Sequence, residues 1–199
     1  MKKQVIALVA ALALFPGLMG CGRVRYPAYY TLNLPAPPDP PATENVRSSI
    51  AVREFQAPAY LRQGPIVYRS TPEQVGFYEY HRWAADPRML VTNAVIDHLR
   101  ATHQFATVSA YSGRDNDYVL NGKLDKLEEV DETSGLRVEV AIAAQITAKT
   151  GATVWSNTVF ETRTVSDRNV PGVVAEMNHA VEIAINKLLA SVPATMQSQ

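Results

Sequence analysis

The sequence predicts an α/β fold: a mixed, mostly antiparallel sheet with two main helices packed on it, in a single domain. Three observations carry this expectation. Residues 118–165 hold three long β-type runs separated by short turns. Two segments, 87–102 and 171–191, place apolar side chains every three or four positions, the period of a helix with one buried face. The chain has 199 residues, 47% of them hydrophobic, which suits one domain of about 100–200 residues with a real core.

The elements follow in order. Residues 29–34 are β-prone and alternate after Tyr30. If this stretch pairs, the prolines at 35, 37, 38, 40 and 41 form a loop and only a short tether precedes the domain. If it does not, a leash of roughly 80 Å results. The short tether is favoured. Residues 49–55 read as a strand with Ile50, Val52 and Glu54 on one face. Residues 66–70 and 74–80 read as a hairpin closed by Thr71-Pro72-Glu73.

Asp86 is placed to N-cap the first helix, with Pro87 at its first position, where a missing N–H costs nothing. Its apolar side is Val91, Ala94, Val95, Ile96 and Leu99; Asn93, Asp97 and Arg100 make the polar stripe. Residues 107–110 are a short strand candidate and 112–117 a loop. In the next strand Tyr118, Leu120, Gly122 and Leu124 share a face, and Asn121-Gly122 is expected to be a bulge, because the strand pattern continues through it. Leu136, Val138, Val140, Ile142, Ala144, Ile146 and Ala148 alternate most cleanly of all. A turn at 150–152 leads into 154–165 and completes an antiparallel meander. The second helix carries Val174, Met177, Val181, Ala184, Ile185 and Leu188 on one stripe.

Charge and cysteine content exclude several classes. The chain has 19 basic and 19 acidic side chains, without the basic excess of a nucleic-acid binder. Its single cysteine rules out an internal disulfide and any Cys-cluster zinc site. That cysteine gains a role from its position. Lys2 and Lys3 precede an apolar run over 5–15, about 11 residues against the roughly 20 a spanning helix needs; this is the length of a signal-peptide h-region. Leu18-Met19-Gly20-Cys21 resembles a bacterial lipobox, so Cys21 is expected to become the acylated first residue. A plain secretory signal with an incidental cysteine is the alternative. The expected division is signal peptide 1–20, acylated tether 21–28, domain 29–192 and polar tail 193–199. Removing residues 1–20 leaves 17 basic against 19 acidic side chains, about −2 net, so the lipid and not charge would hold the protein to a membrane. No cofactor is expected beyond a covalent diacylglycerol and an N-acyl chain on Cys21.

No catalytic or metal constellation emerges. His98 and His103 are off the spacing that shares a helix face, and His98 and Asp97 point about 100° apart as helix neighbours. The acids at 115 and 117 superficially suggest a calcium loop, but Val119 falls at a ligand position and no glutamate closes it. Motifs for a nucleophile elbow, a dinucleotide or a phosphate loop are absent. The protein is therefore read as a non-enzyme. Residues 55–83, by contrast, hold Phe55, Tyr60, Tyr68, Phe77, Tyr78, Tyr80 and Trp83, seven of the 16 aromatic residues. Such side chains join apolar area to a polar tip and suit interfaces, or else pack beneath the helix and hairpin.

Several segments in order also carry a family resemblance. They are Tyr29-Tyr30-Thr31-Leu32; Ile50-Ala51-Val52, leading to Ala57-Pro58-Ala59-Tyr60-Leu61; Ile66-Val67-Tyr68-Arg69; Tyr80-His81-Arg82-Trp83-Ala84-Ala85-Asp86-Pro87 at a helix start; and Asp117-Tyr118-Val119-Leu120-Asn121-Gly122. Behind a lipobox, this order resembles the ABC-type transport auxiliary lipoprotein family, the PqiC/YmbA-like proteins. The resemblance implies a lipid-anchored protein on the periplasmic face of the outer membrane. It would act as an auxiliary, docking component beside a periplasmic mammalian-cell-entry (MCE) domain protein, an ABC permease and an ATPase. Such systems move lipid between membranes, so phospholipid contact is possible. The family offers no catalytic residue to transfer. Tyr60, Leu61, Tyr78, Tyr80 and Trp83 are the candidate partner-binding residues, chosen from the aromatic segment. An envelope-assembly lipoprotein supporting another outer-membrane complex is the alternative reading.

Overall fold

The computed structural model describes residues 25–35, 46–133, 135–193 and 196. Eight strands form one open sheet: β1 (Ala28–Tyr30), β2 (Ser49–Val52), β3 (Pro65–Arg69), β4 (Val75–Trp83), β5 (Thr107–Ala110), β6 (Tyr118–Glu132), β7 (Gly135–Ala148) and β8 (Thr153–Thr164). Two helices, α1 (Pro87–Ala101) and α2 (Val170–Ala190), pack on it. The fold is the single-domain, mixed and mostly antiparallel α/β architecture the sequence predicts.

β6 is the hub. One of its edges carries β7 along the whole strand, from Tyr118 opposite Ala148 to Glu132 opposite Gly135, and β8 continues the meander beyond. Its other edge is shared in tandem. β2 lies parallel to Tyr118–Leu120, Gln56 bridges Lys123, and β3 lies parallel to Glu129 and Val130. The sheet therefore forks, to β5 beside β2 and to β4 and then β1 beside β3. A 3-10 turn, Ala59–Gln63, joins the two branches.

The helices begin as their sequences dictate. Asp86 accepts from the Arg88 N–H at 2.9 Å and Asn169 from the Gly172 N–H at 2.8 Å, each followed by proline in the first turn, where its missing donor costs nothing. Burial of α1 falls on Val91, Thr92, Val95, Ile96 and Leu99, with Ala94 packed at the rim. In α2, Val174, Met177, Val181, Ala184, Ile185 and Leu188 are all buried; full burial of a large aliphatic side chain contributes about 1.5–3 kcal/mol. Polar contacts fix α2 over β8: Trp155 Nε1 donates to the Ser191 carbonyl at 3.0 Å, Lys187 meets Glu161 at 2.7 Å, and Arg163 meets Glu176 at 2.6 Å.

Three expectations are corrected. The register of β6 against β7 runs unbroken through Asn121 and Gly122, and the bulge lies at Asp125. Gly122 is needed for space: a Cβ there would come within 2.1 Å of the Phe55 ring. The N-terminal strand is Ala28–Tyr30, parallel to β4, and not 29–34. Residues 31–35 leave the sheet and lie against the helices, with Leu32 and Leu34 packed on the core and the Asn33 N–H donating to Asn178 Oδ1 at 2.6 Å. β2 ends at Val52, so Glu54 is exposed and pairs with Arg88 at 3.1 Å. The signal peptide, Cys21, the prolines at 37–41 and most of the polar tail lie outside the described residues.

Candidate functional site

The aromatic segment divides into core and surface. Leu61 and Trp83 are 1% and 4% exposed and belong to the core, which corrects their place among partner-binding residues. The 3-10 turn directs Leu61 inward, and Trp83, paired with Tyr30 at the end of β4, joins the core cluster. Neither side chain presents a surface to a partner in this structure.

Tyr60, Tyr78 and Tyr80 do reach the surface, in different ways. The Tyr60 hydroxyl donates to the Asp125 carbonyl at 3.3 Å and to Glu128 at 3.4 Å, so it satisfies the oxygen that the β6 bulge turns out of the ladder. Burial, and then the charge of Glu128, push its hydroxyl pKa up. Arg69 lies over the Tyr60 ring at 5.6 Å and donates to Glu128 at 2.8 Å. Tyr78 donates to both oxygens of Glu129, at 3.0 and 2.8 Å, and stacks at a tilt on Tyr68; burial and the neighbouring Glu129 push its pKa up as well. Tyr80 is half-exposed, with Arg25 at 6.0 Å from its ring centre. Tyr60 and Tyr78 are thus held by their tips to buried acids, while the Tyr80 hydroxyl meets the carboxylate of its exposed neighbour Glu79, which raises its pKa.

Three buried carboxylates beneath this surface escaped the sequence reading: Glu128, Glu129 and Glu139, at 0%, 4% and 7% exposure. Adjacent residues of a strand point to opposite faces. The pair Glu128-Glu129 therefore had to place one acid on each side of the sheet, a signal present in the sequence. Glu128 takes Arg69. Glu139 takes Lys126 at 2.7 Å and Arg137 at 2.8 Å; burial would raise its pKa, but those cations outweigh burial and hold it below the usual range. Among the described residues no cation pairs with Glu129. Burial pushes its pKa up, against the lowering effect of the Tyr78 hydrogen bond.

A groove lies elsewhere, between residues 31–35 and the two helices. It encloses about 450 Å³, with Leu32, Leu90 and Ile185 beside Asp97, His98 and Glu182. Burial lowers the His98 pKa, and no acid or hydroxyl hydrogen-bonds its ring among the described residues. His81 is engaged instead with the Tyr30 hydroxyl at 2.8 Å. Among the described residues no group of three His, Cys, Asp or Glu could hold a metal ion, and no helix is long and apolar enough to cross a membrane. What these surfaces offer chemically is binding: an aromatic rim, charged pairs locked in the sheet, and a half-apolar groove.

The family described as the ABC-type transport auxiliary lipoprotein component matches residues 30–187. The chain belongs to that family. The match begins inside β1 and ends within the last turn of α2, so it takes in nearly all of the sheet and both helices. Solved structures share the fold. Protein XCC0632 from Xanthomonas campestris superposes with a TM-score of 0.72 at 16% identity, over 85% of this chain and 96% of that one. An uncharacterized protein gives 0.67 at 15% identity, over 85% and 100%. The hypothetical protein CT253 from Chlamydia trachomatis gives 0.51 at 5% identity, over 77% and 99%. No curated protein matches the chain. Family membership makes this protein a lipoprotein component of an ABC-type transport system, in a family not known for catalysis.

Proposed function

We propose that this protein is anchored by an acylated Cys21 to the periplasmic face of the outer membrane. There it docks an MCE-linked ABC system that moves lipid between the membranes. The observation that carries the reading is the coincidence of two independent features: a family match over residues 30–187 and a sole cysteine at the last position of Leu18-Met19-Gly20-Cys21. One acyl chain gives only marginal attachment, and two or more hold a protein stably, so a diacylglycerol with an N-acyl chain suffices without any spanning helix. Tyr78 and Tyr80 form the docking rim, while Tyr60 lies beside Glu128 on the other side of the sheet. The rim's rings present apolar area while the Tyr78 hydroxyl is already fixed on Glu129, so binding orders few additional rotors.

Affinity purification of the full-length lipoprotein from native membranes, with protein and lipid analysis of the eluate, tests the reading. Recovery of a permease, an ATPase and an MCE-domain protein together with phospholipid is the expected result. Recovery of an unrelated outer-membrane assembly in their place overturns it.

A further inference from the structure

We infer that the edge formed by Arg25, Tyr26 and Tyr29, at the start of β1, lies in the headgroup layer of the bilayer that anchors the protein. The inference deepens the proposed function and rests on its acylated Cys21. Tyr26 and Tyr29 are 84% and 63% exposed, the two most exposed large apolar side chains among the described residues. Nothing in the fold needs them there: β1 pairs on one side only, with β4, and is an edge of the sheet.

Chain length keeps this edge close to the membrane. Four residue steps separate Cys21 from Arg25, at most about 14 Å of extended backbone. Tyr26 is one step further. That reach lets the edge sit in the headgroup and interfacial layer, about 5–7 Å thick on each side of the roughly 30 Å hydrocarbon core, and carries it no more than about 10 Å beyond. Tyrosine suits that depth, because its ring is apolar and its hydroxyl remains wet. β1 is parallel to the last three residues of β4, His81–Trp83, so the chain upstream of Ala28 runs alongside the earlier part of β4. Phe77, 38% exposed, lies four positions before His81 on β4 and adds apolar surface on that upstream side. Arg25, over the Tyr80 ring, supplies a guanidinium for lipid phosphate. Tyr80 then marks the boundary between the lipid-facing edge and the docking rim. With the mature chain near −2 net charge, the contact is aromatic more than electrostatic and should persist in salt.

The test uses the full acylated protein in phosphatidylcholine vesicles whose acyl chains carry bromine, a short-range quencher of indole emission. The native Trp83 and Trp155 are both buried and supply a background measured on the parent protein. Three variants each add one indole: Tyr26→Trp, Tyr29→Trp and, as the remote site, Val154→Trp. Val154 is 42% exposed on β8, five strand spacings from β1, about 24 Å away. Circular dichroism confirms that each variant is folded. The inference requires blue-shifted emission at 26 and 29 that brominated lipid largely quenches, at low and high salt alike, with Val154→Trp unaffected. Vesicle-bound protein whose added indoles at 26 and 29 emit as in water and escape quenching overturns the inference while leaving the anchor intact. Protein that does not float with the vesicles at all overturns the anchor, and the inference with it.

Discussion

Replacing Gly122 with alanine tests how the two branches of the sheet are held to α1. The backbone at Gly122 has no positive φ, so conformational entropy alone favours alanine by about 0.5–1 kcal/mol. Packing opposes it. The new methyl would lie 2.1–2.4 Å from three atoms of the Phe55 ring, so the ring must retreat by more than about 1 Å to reach ordinary contact. It has little room to do so. Phe55 is 1% exposed, and its N–H is bonded to Thr92 Oγ1 of α1 at 3.0 Å. The next residue exchanges hydrogen bonds with β6, through the Gly122 carbonyl at 2.9 Å and the Leu124 N–H at 2.8 Å. Overpacking of this kind costs about 1–3 kcal/mol and outweighs the entropic gain. For a chain of this size each kcal/mol lowers Tm by about 2–4 °C. Urea unfolding followed by circular dichroism should place Gly122→Ala well below the parent. The same substitution in a Phe55→Ala background, itself destabilised by about 3–5 kcal/mol, should be nearly neutral. A penalty of equal size in both backgrounds would refute the packing argument.

Other expectations follow from the same geometry. Burial raises the Glu129 pKa above its ordinary 4.5, so between that value and the raised one the folded protein binds more protons than the unfolded chain, and stability falls as pH rises. Glu129→Gln keeps an acceptor for Tyr78 and should unfold at increasingly higher urea than the parent from pH 4 to pH 7; a gap that narrows contradicts the assignment. Leu61→Ala and Trp83→Ala should cost about 2–5 and 3–5 kcal/mol and reduce partner recovery only through loss of folded protein. Tyr80→Ala should stay within about 0.5 kcal/mol of the parent yet weaken co-purification, and normal recovery would remove Tyr80 from the rim. Tyr60→Phe withdraws the donor from the Asp125 carbonyl and should cost about 0.5–1.5 kcal/mol in urea unfolding; no change would mean the bulge is satisfied otherwise.

The fold was legible wherever periodicity was sustained. The seven alternating residues from Leu136 to Ala148 define β7, and the three- and four-residue spacing from Val174 to Leu188 defines α2, because each pattern has one answer about which side is buried. Short elements were less legible. Residues 29–34 alternate well enough for a strand, yet only Ala28–Tyr30 pairs; Leu32 and Leu34 satisfy their apolar character against the helices instead. Asn121-Gly122 looked like irregular backbone, but glycine can equally mean a close neighbour, and that neighbour, Phe55, lies 67 positions away in sequence. For the surface, composition located the aromatic segment without separating its faces. Leu61 and Trp83 belong to the core because the 3-10 turn and the end of β4 set them against residues distant in sequence, contacts that local sequence does not encode. The buried acids were hidden for the same reason: Glu128 is neutralised by Arg69 from another strand.

The central claim is that this lipoprotein docks an MCE-linked transport system through the tyrosine rim. Photo-crosslinking from position 80 in living cells tests it most directly, with a photoreactive phenylalanine in place of Tyr80 and mass spectrometry of the adducts. A dominant adduct with a periplasmic MCE-domain protein is expected, lost when the same group is moved to Val154 on the opposite edge. An adduct pattern from position 80 without that protein, in cells that retain the lipoprotein in the outer membrane, would contradict the claim.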